Sequence, residues 1–284
     1  MKRLLIAALL LSAGSALLSA GAARAELPYA RERIAWNKPM APFHVIGNIY
    51  YVGTAGISTF LIVTPKGDIL TDGGLPESTE AIEKNIQALG FKLSDVKIQL
   101  NSHAHFDHSG ALAKLKADTG ATFYASAGDK PFLESGHITY GLSSQIDTTP
   151  VHVDHVVADG DTVKLGGVTL TAHMTPGHTS GDTTWTMPLT VDGVAHQVMF
   201  FGSLTVVAPL VNNAAYPQIA SDYRASFAKL KKMDADVFLA PHGDQFELTE
   251  KLAKMKPGAP NPFIDAGSKD RTLEKMEKAF DLQL

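Results

Sequence analysis

Six residues of the 284-residue chain have the types and spacing to hold metal ions. Four of them, His103, His105, Asp107 and His108, fall in the run His103-Ala104-His105-Phe106-Asp107-His108; His178 follows Thr175-Pro176-Gly177, and His242 follows Leu239-Ala240-Pro241. Imidazoles crowded together repel when protonated and gain little packing when neutral, so a structural role explains such a cluster poorly. On an extended chain His103 and His105 point the same way, while Asp107 and His108 sit past the bend, which suits two metals. The chain has no cysteine, so any metal must be held by His, Asp or Glu. Five histidines and one aspartate suffice for two sites of three protein ligands each. Three ligands with a position left for water is the catalytic zinc pattern, whereas a structural site is closed by four. Of the other histidines, His44, His137, His152, His155, His173 and His196 lack a supporting cluster, and only His137 is expected to overlook the site, from the loop Ser135 to Thr149.

These donors stand at the ends of short apolar stretches. The segments 49–52, 60–63 and 68–71, punctuated by Gly53, Gly56 and Pro65-Lys66-Gly67, read as an antiparallel meander. A helix is expected over 77–89, with Ile82, Ile86 and Leu89 at helical spacing and Gly90 in the stop position. The strand 96–100 then runs straight into Asn101-Ser102-His103. A short helix near 111–117, strands at 121–125, 162–165, 168–174, 198–201 and 238–240, and helices at 219–233 and 270–280 complete the pattern. Strands dominate each half and helices flank them, which predicts two packed sheets with helices outside.

Lys2 and Arg3 precede an apolar run from Leu4 to Leu18 and small residues ending in Ala23-Arg24-Ala25, so residues 1–25 read as a secretory signal peptide cut before Glu26. The run is short and broken for a membrane anchor. Its removal takes away three cations and no anion, moving the formal charge from −4 to −7. An acidic chain argues against nucleic acid as a partner, and no membrane association is expected after cleavage. No linker divides residues 26–284, which are expected to form a single domain.

His103-Ala-His105-Phe-Asp107-His108, Gly177-His178 and Pro241-His242 resemble the metallo-β-lactamase superfamily, from the Gly47 meander to the C-terminal helix. The resemblance implies an α/β fold, a four-layer αβ/βα sandwich. The superfamily includes glyoxalase II, acyl-homoserine lactonases, RNA-processing nucleases and true β-lactamases, and the histidine motif alone does not choose among them. The choice comes from Phe200-Phe201-Gly202-Ser203-Leu204-Thr205. The thioesterase and lactonase branches normally carry a metal-bridging aspartate here, and two β-lactamase subclasses carry a zinc-binding cysteine. Ser203, with all six ligand positions filled, is similar to class B β-lactamases of the third subclass, B3, as are Thr175 to Trp185 and Asn261-Pro262-Phe263. Ser180 and Asp182 depart from that group's commoner Pro and Ser.

What this resemblance implies is two zinc ions, the first on His103, His105 and His178 and the second on Asp107, His108 and His242. Zinc lowers the pKa of water and supplies hydroxide at neutral pH. Asp107 is the expected catalytic residue that orients it, and Ser203 a hydrogen-bonding partner of the metal's water rather than a ligand. Asp72 is either a support for the site or a turn residue before Gly73-Gly74. The expected protein is a periplasmic zinc β-lactamase acting on penicillins, cephalosporins and carbapenems; the alternative is an acyl-homoserine lactonase or related dizinc hydrolase of the same fold. The lining loops 53–57 and 135–149 do not rank the substrates.

Overall fold

The computed structural model describes residues 29–284; the expected signal peptide lies outside the described residues. The first sheet has the order β1 (Phe43–Ile46), β2 (Ile49–Tyr51), β3 (Phe60–Ile62), β4 (Asp68–Thr71), β5 (Val96–Leu100), β6 (Thr122–Ser126) and β7 (His155–Val157). The expected meander β2-β3-β4 is antiparallel, and β4 through β7 pair in parallel. The second sheet has the order β12 (Val237–Leu239), β11 (Val194–Phe200), β10 (Thr183–Val191), β9 (Val168–Met174) and β8 (Thr162–Leu165). Only its β11–β12 pair is parallel.

Helices cover both outer faces. On the first sheet, α2 (Thr79–Ala88) and α4 (Leu112–Thr119) bury Ile82, Ile86, Leu112 and Leu115, and a cluster of these with Leu61, Leu70 and Val96 forms one core layer. The 3-10 turn Pro76–Ser78 starts this helical stretch. Gly90, at φ +88°, ends it by adopting a left-handed conformation that costs other residues a Cβ clash. On the second sheet lie α6 (Ile219–Leu230) and α8 (Ser268–Asp281), whose Phe227 and Phe280 rings are 5.8 Å apart. The two inner faces meet through Phe60 and Phe200, edge to face at 5.6 Å. The result is the expected helix, sheet, sheet, helix layering, and strands β3, β4 and β12 are buried along their whole length because both their faces are covered.

Several elements went unread in the sequence: α1 (Ala30–Trp36), α3 (Phe106–Ser109), α5 (Lys130–Ser135), α7 (Leu248–Lys254) and the strands β1, β7 and β10. The nine-residue β10 contains Pro188, which marks a break in a central strand. Here β10 pairs with β9 only over Thr183–Thr186, so Pro188 lies where that side has no partner and its missing N–H costs nothing.

The parallel strands β4, β5 and β6 finish on one edge, delivering Asp72, His103 and Asp129 there in turn. The second sheet brings the ends of β9, β11 and β12 to the same place. Cross-links fix the junction: Thr183 N donates to Ser102 O at 2.8 Å, Ser58 N to Pro241 O at 2.8 Å, and Trp185 Nε1 to Asn101 O at 3.2 Å.

Candidate metal centre

The six expected donors meet at this edge in two groups of three, His103 with His105 and His178, and Asp107 with His108 and His242. Within each group the ligand atoms lie within 4.8 Å of one another. His105, extended at φ −62° and ψ 147°, precedes the single turn α3, which carries Asp107 and His108 round the bend. His178 sits on the turn after β9, where Gly177 at φ +140° lies so close to Tyr223 that an added Cβ would come within 2.8 Å of its ring. His242 opens the 3-10 turn Gly243–Phe246 and makes an antiparallel bridge with Ile57.

The tautomers follow from the neighbours. Ser102 Oγ donates to Asp72 Oδ2 at 2.8 Å, so it accepts from His103 Nδ1–H at 3.0 Å, leaving a lone pair on His103 Nε2. That nitrogen is buried and has no partner. His178 Nδ1–H donates to the Thr205 carbonyl at 2.6 Å, so its Nε2 carries a lone pair as well, which faces His105 Nδ1 at 2.9 Å. In the other group His108 Nε2 and His242 Nε2 are 3.1 Å apart and flank Asp107 Oδ2 at 3.3 and 3.2 Å. Lone pairs converging in a buried space repel unless a cation lies between them, and orphaned buried acceptors cost free energy. The donor set therefore fits two metal ions of the kind bound by imidazole and carboxylate.

Electrostatics points the same way. Burial, together with the neighbouring imidazoles, holds His103 and His178 well below the usual histidine range, and burial pulls His105 down to about 4. Neutral imidazole is the form that binds metal. Burial opposes ionisation of Asp107, but His108 and His242 outweigh it and keep the carboxyl well below its ordinary value. Burial also opposes protonation of His108, and Asp107 overrides it in turn, raising His108. A negative carboxylate beside two ring nitrogens is what a second cation would need.

Asp72 combines the backbone of a turn residue with hydrogen bonds to the segment that leads into His103. Its backbone is left-handed, at φ +55°, and its carboxylate accepts from Ser102 N at 2.7 Å, Ser102 Oγ at 2.8 Å and Asn101 Nδ2 at 3.1 Å, with His108 Nδ1 3.8 Å away. Ser203 is buried, its Oγ 3.1 Å from Thr205 Oγ1 and within reach of Thr205 N–H. Asp182 is fully buried behind His103, with Oδ2 3.8 Å from His103 Nδ1; desolvation drives its carboxyl well above the ordinary range.

Both groups open onto a cavity of about 220 Å³ lined by Tyr29, Trp36, His105, Asp107, His178, Thr205 and His242 among others. Tyr29 and Trp36 come from the unread α1 region, and the Trp36 ring meets His242 edge-on at 5.3 Å. His137, expected to overlook the site, does not line this cavity: it is exposed and turned towards Asp147 at 2.8 Å, while the 3-10 turn Leu142–Gln145 presents Ser143 instead. Thr205 also escaped the sequence reading, since it acts through a backbone carbonyl that any residue carries.

Residues 52–242 match the model of the metallo-beta-lactamase superfamily, and the chain belongs to that superfamily. Among solved structures it resembles BJP-1, a subclass B3 metallo-beta-lactamase of Bradyrhizobium japonicum, with 45% identity and a TM-score of 0.84 over 87% of this chain and 95% of that one. It also resembles the native FEZ-1 metallo-beta-lactamase from Legionella gormanii, with 40% identity and a TM-score of 0.83 over 86% and 95% of the two chains. Within the superfamily this places it with the metallo-β-lactamases of subclass B3, a class of hydrolases. A hydroxyacylglutathione hydrolase of Maricaulis maris is 29% identical over 48% of this chain, and the match spans only 44% of that protein.

Proposed function

We propose that this protein is a secreted dizinc β-lactamase that hydrolyses the amide bond of the β-lactam ring in penicillins, cephalosporins and carbapenems. The observation that carries the reading is the pair of adjacent three-donor groups, each short of a fourth His, Asp or Glu ligand among the described residues and both facing one cavity. His103, His105 and His178 would hold the first zinc; Asp107, His108 and His242 would hold the second. Bound there, zinc supplies Lewis acidity to the carbonyl and makes water a nucleophile near neutral pH.

The chain's own residues supply position and charge. His103 and His178 are locked in their tautomers by Ser102 and by the Thr205 carbonyl, so their Nε2 atoms are presented without rearrangement. The Asp107 carboxylate, ionised and fixed between two imidazoles, orients the attacking water by accepting a hydrogen bond from it. Hydrolysis adds hydroxyl to the carbonyl carbon and a proton to the departing ring nitrogen, with no enzyme nucleophile consumed. Ser203 is buried and bonded to Thr205, and it stands in the sequence where the thioesterase and lactonase branches carry their bridging aspartate. The leader sequence at residues 1–25 supports a periplasmic location, where β-lactams act.

The alternative activity is hydrolysis of an acyl-homoserine lactone or a related ester, and the partial match to hydroxyacylglutathione hydrolases is what keeps a thioester in the test. Purified protein should be assayed in parallel on a penicillin, a carbapenem, an acyl-homoserine lactone and a glutathione thioester, with and without a chelator. Chelator-sensitive turnover of the β-lactams well above the other two is expected. Turnover of the lactone or thioester alone would refute the assignment.

A further inference from the structure

Asp129 belongs to none of the metal-binding motifs, lies 1% exposed in the turn after β6, and its carboxylate takes its hydrogen bonds from the two loops that carry the first three histidines. Its Oδ2 accepts from Ala104 N–H, between His103 and His105, at 2.8 Å. The same oxygen accepts from Thr179 Oγ–H, next to His178, at 2.7 Å, and Oδ1 accepts from Gly181 N–H at 2.8 Å. Its own N–H donates to Ser126 Oγ, which donates onward to Gly181 O at 2.6 Å, and Ser180 Oγ donates to Gly128 O at 3.1 Å. The two segments 126–129 and 179–181 are thus laced together. The fit leaves no slack: a Cβ on Gly181 would sit 2.2 Å from Asp129 N and 2.7 Å from its Cγ, and one on Gly128 would sit 2.4 Å from Ser180 O.

We infer that Asp129 is the positioning residue of the first metal group, a single carboxylate that sets the spacing between the His103/His105 loop and the His178 loop. The inference rests on the dizinc reading above. The two loops are far apart in sequence and come from different sheets, so no covalent geometry fixes the 2.9 Å approach of His105 Nδ1 to His178 Nε2. Asp129 supplies that constraint, because its two oxygens take one backbone N–H from each loop. Charge-assisted bonds to backbone N–H are short and directional, which suits them to hold one register. An amide at this position would satisfy only one side, since its NH₂ would face an N–H donor.

The test measures zinc affinity, by competition with a chromophoric chelator, and the melting temperature with and without zinc, in the wild type and in Asp129→Asn, Gly181→Ala and Thr179→Val. Asp154→Asn is the control, since Asp154 also accepts a backbone N–H, from Phe123 at 2.8 Å, but stands away from both metal groups. Asp129→Asn should weaken one zinc equivalent roughly ten- to a hundredfold, the usual scale for losing an outer partner of a metal ligand, and leave the other near wild type. Gly181→Ala should reproduce this with the carboxylate intact, and Thr179→Val, which removes one donor of three, should do so more weakly. The zinc-dependent rise in melting temperature should shrink with the affinity. Combined with His178→Ala, Asp129→Asn should add little further loss. A merely structural role would lower the zinc-free melting temperature and leave zinc affinity unchanged, and that result overturns the inference. If the wild type takes up no zinc, the dizinc reading falls and this inference with it; if the wild type binds two and Asp129→Asn binds both as tightly, only the inference falls.

Discussion

Replacing Asp107 by Asn removes one negative charge from the second donor group while keeping the shape of the side chain. In the structure that charge faces His108 Nε2 at 3.3 Å and His242 Nε2 at 3.2 Å, at the wall of the cavity. Opposite unit charges about 3.3 Å apart, at an effective dielectric of about 20, attract by ~5 kcal/mol, and a divalent cation in the same place would be attracted more strongly. Desolvation and relaxation cancel part of this, so a net loss of ~3 kcal/mol is a conservative figure, equivalent to more than a hundredfold in affinity. Loss of a positioned group that orients water costs a comparable factor in rate. The variant should therefore bind the second zinc at least a hundredfold more weakly and turn over a penicillin and a carbapenem at least a hundredfold more slowly. The assay is steady-state hydrolysis with zinc in excess, alongside equilibrium dialysis for metal content. Near-normal turnover by Asp107→Asn at full zinc loading would mean that this residue neither binds metal nor orients water, and the mechanism would have to be abandoned.

Ser203→Ala should keep both zinc equivalents and measurable turnover, because the hydroxyl bonds to Thr205 and is a poor zinc ligand beside imidazole and carboxylate; loss of a full equivalent on metal analysis would make it a ligand. Asp72→Asn should fold, since Asn tolerates the left-handed backbone at φ +55°, but should weaken zinc binding by roughly tenfold through the Ser102 and His103 relay; a chelator competition assay reads this, and unchanged affinity would leave Asp72 a turn residue only. His152→Ala should change neither zinc content nor turnover, because this exposed side chain pairs with Glu134 at 2.9 Å, and a tenfold loss of turnover would show that the site extends beyond the two donor groups.

The donors were legible in the sequence because the signals that reveal them are local. His103-Ala-His105-Phe-Asp107-His108 is a dense motif on six consecutive residues, and the runs before it alternate or repeat with the periods that strands and helices impose. The meander, α2 and the strands leading into His103, His178 and His242 followed from that alone. Helix α1 did not, since its seven residues Ala-Arg-Glu-Arg-Ile-Ala-Trp bury none of their number and hold their place through contacts such as Trp36 on His242. A helix so short has little stability of its own for a sequence pattern to report. The supports were equally silent: Thr205 acts through its backbone carbonyl, which every residue possesses, the Asp129 carboxylate grips backbone N–H groups of loops distant in sequence, and Asp182 registered only as a departure from a commoner serine. Sequence by itself determined which side chains could bind metal and ruled out thiolates. The grouping of those donors into two sets of three came in the sequence from the family resemblance alone, and only the tertiary structure shows the sets as neighbours in space, because His105 and His178 are 73 residues apart and His108 and His242 are 134 apart, and spacing along the chain carries no distance between loops that two different sheets must bring together.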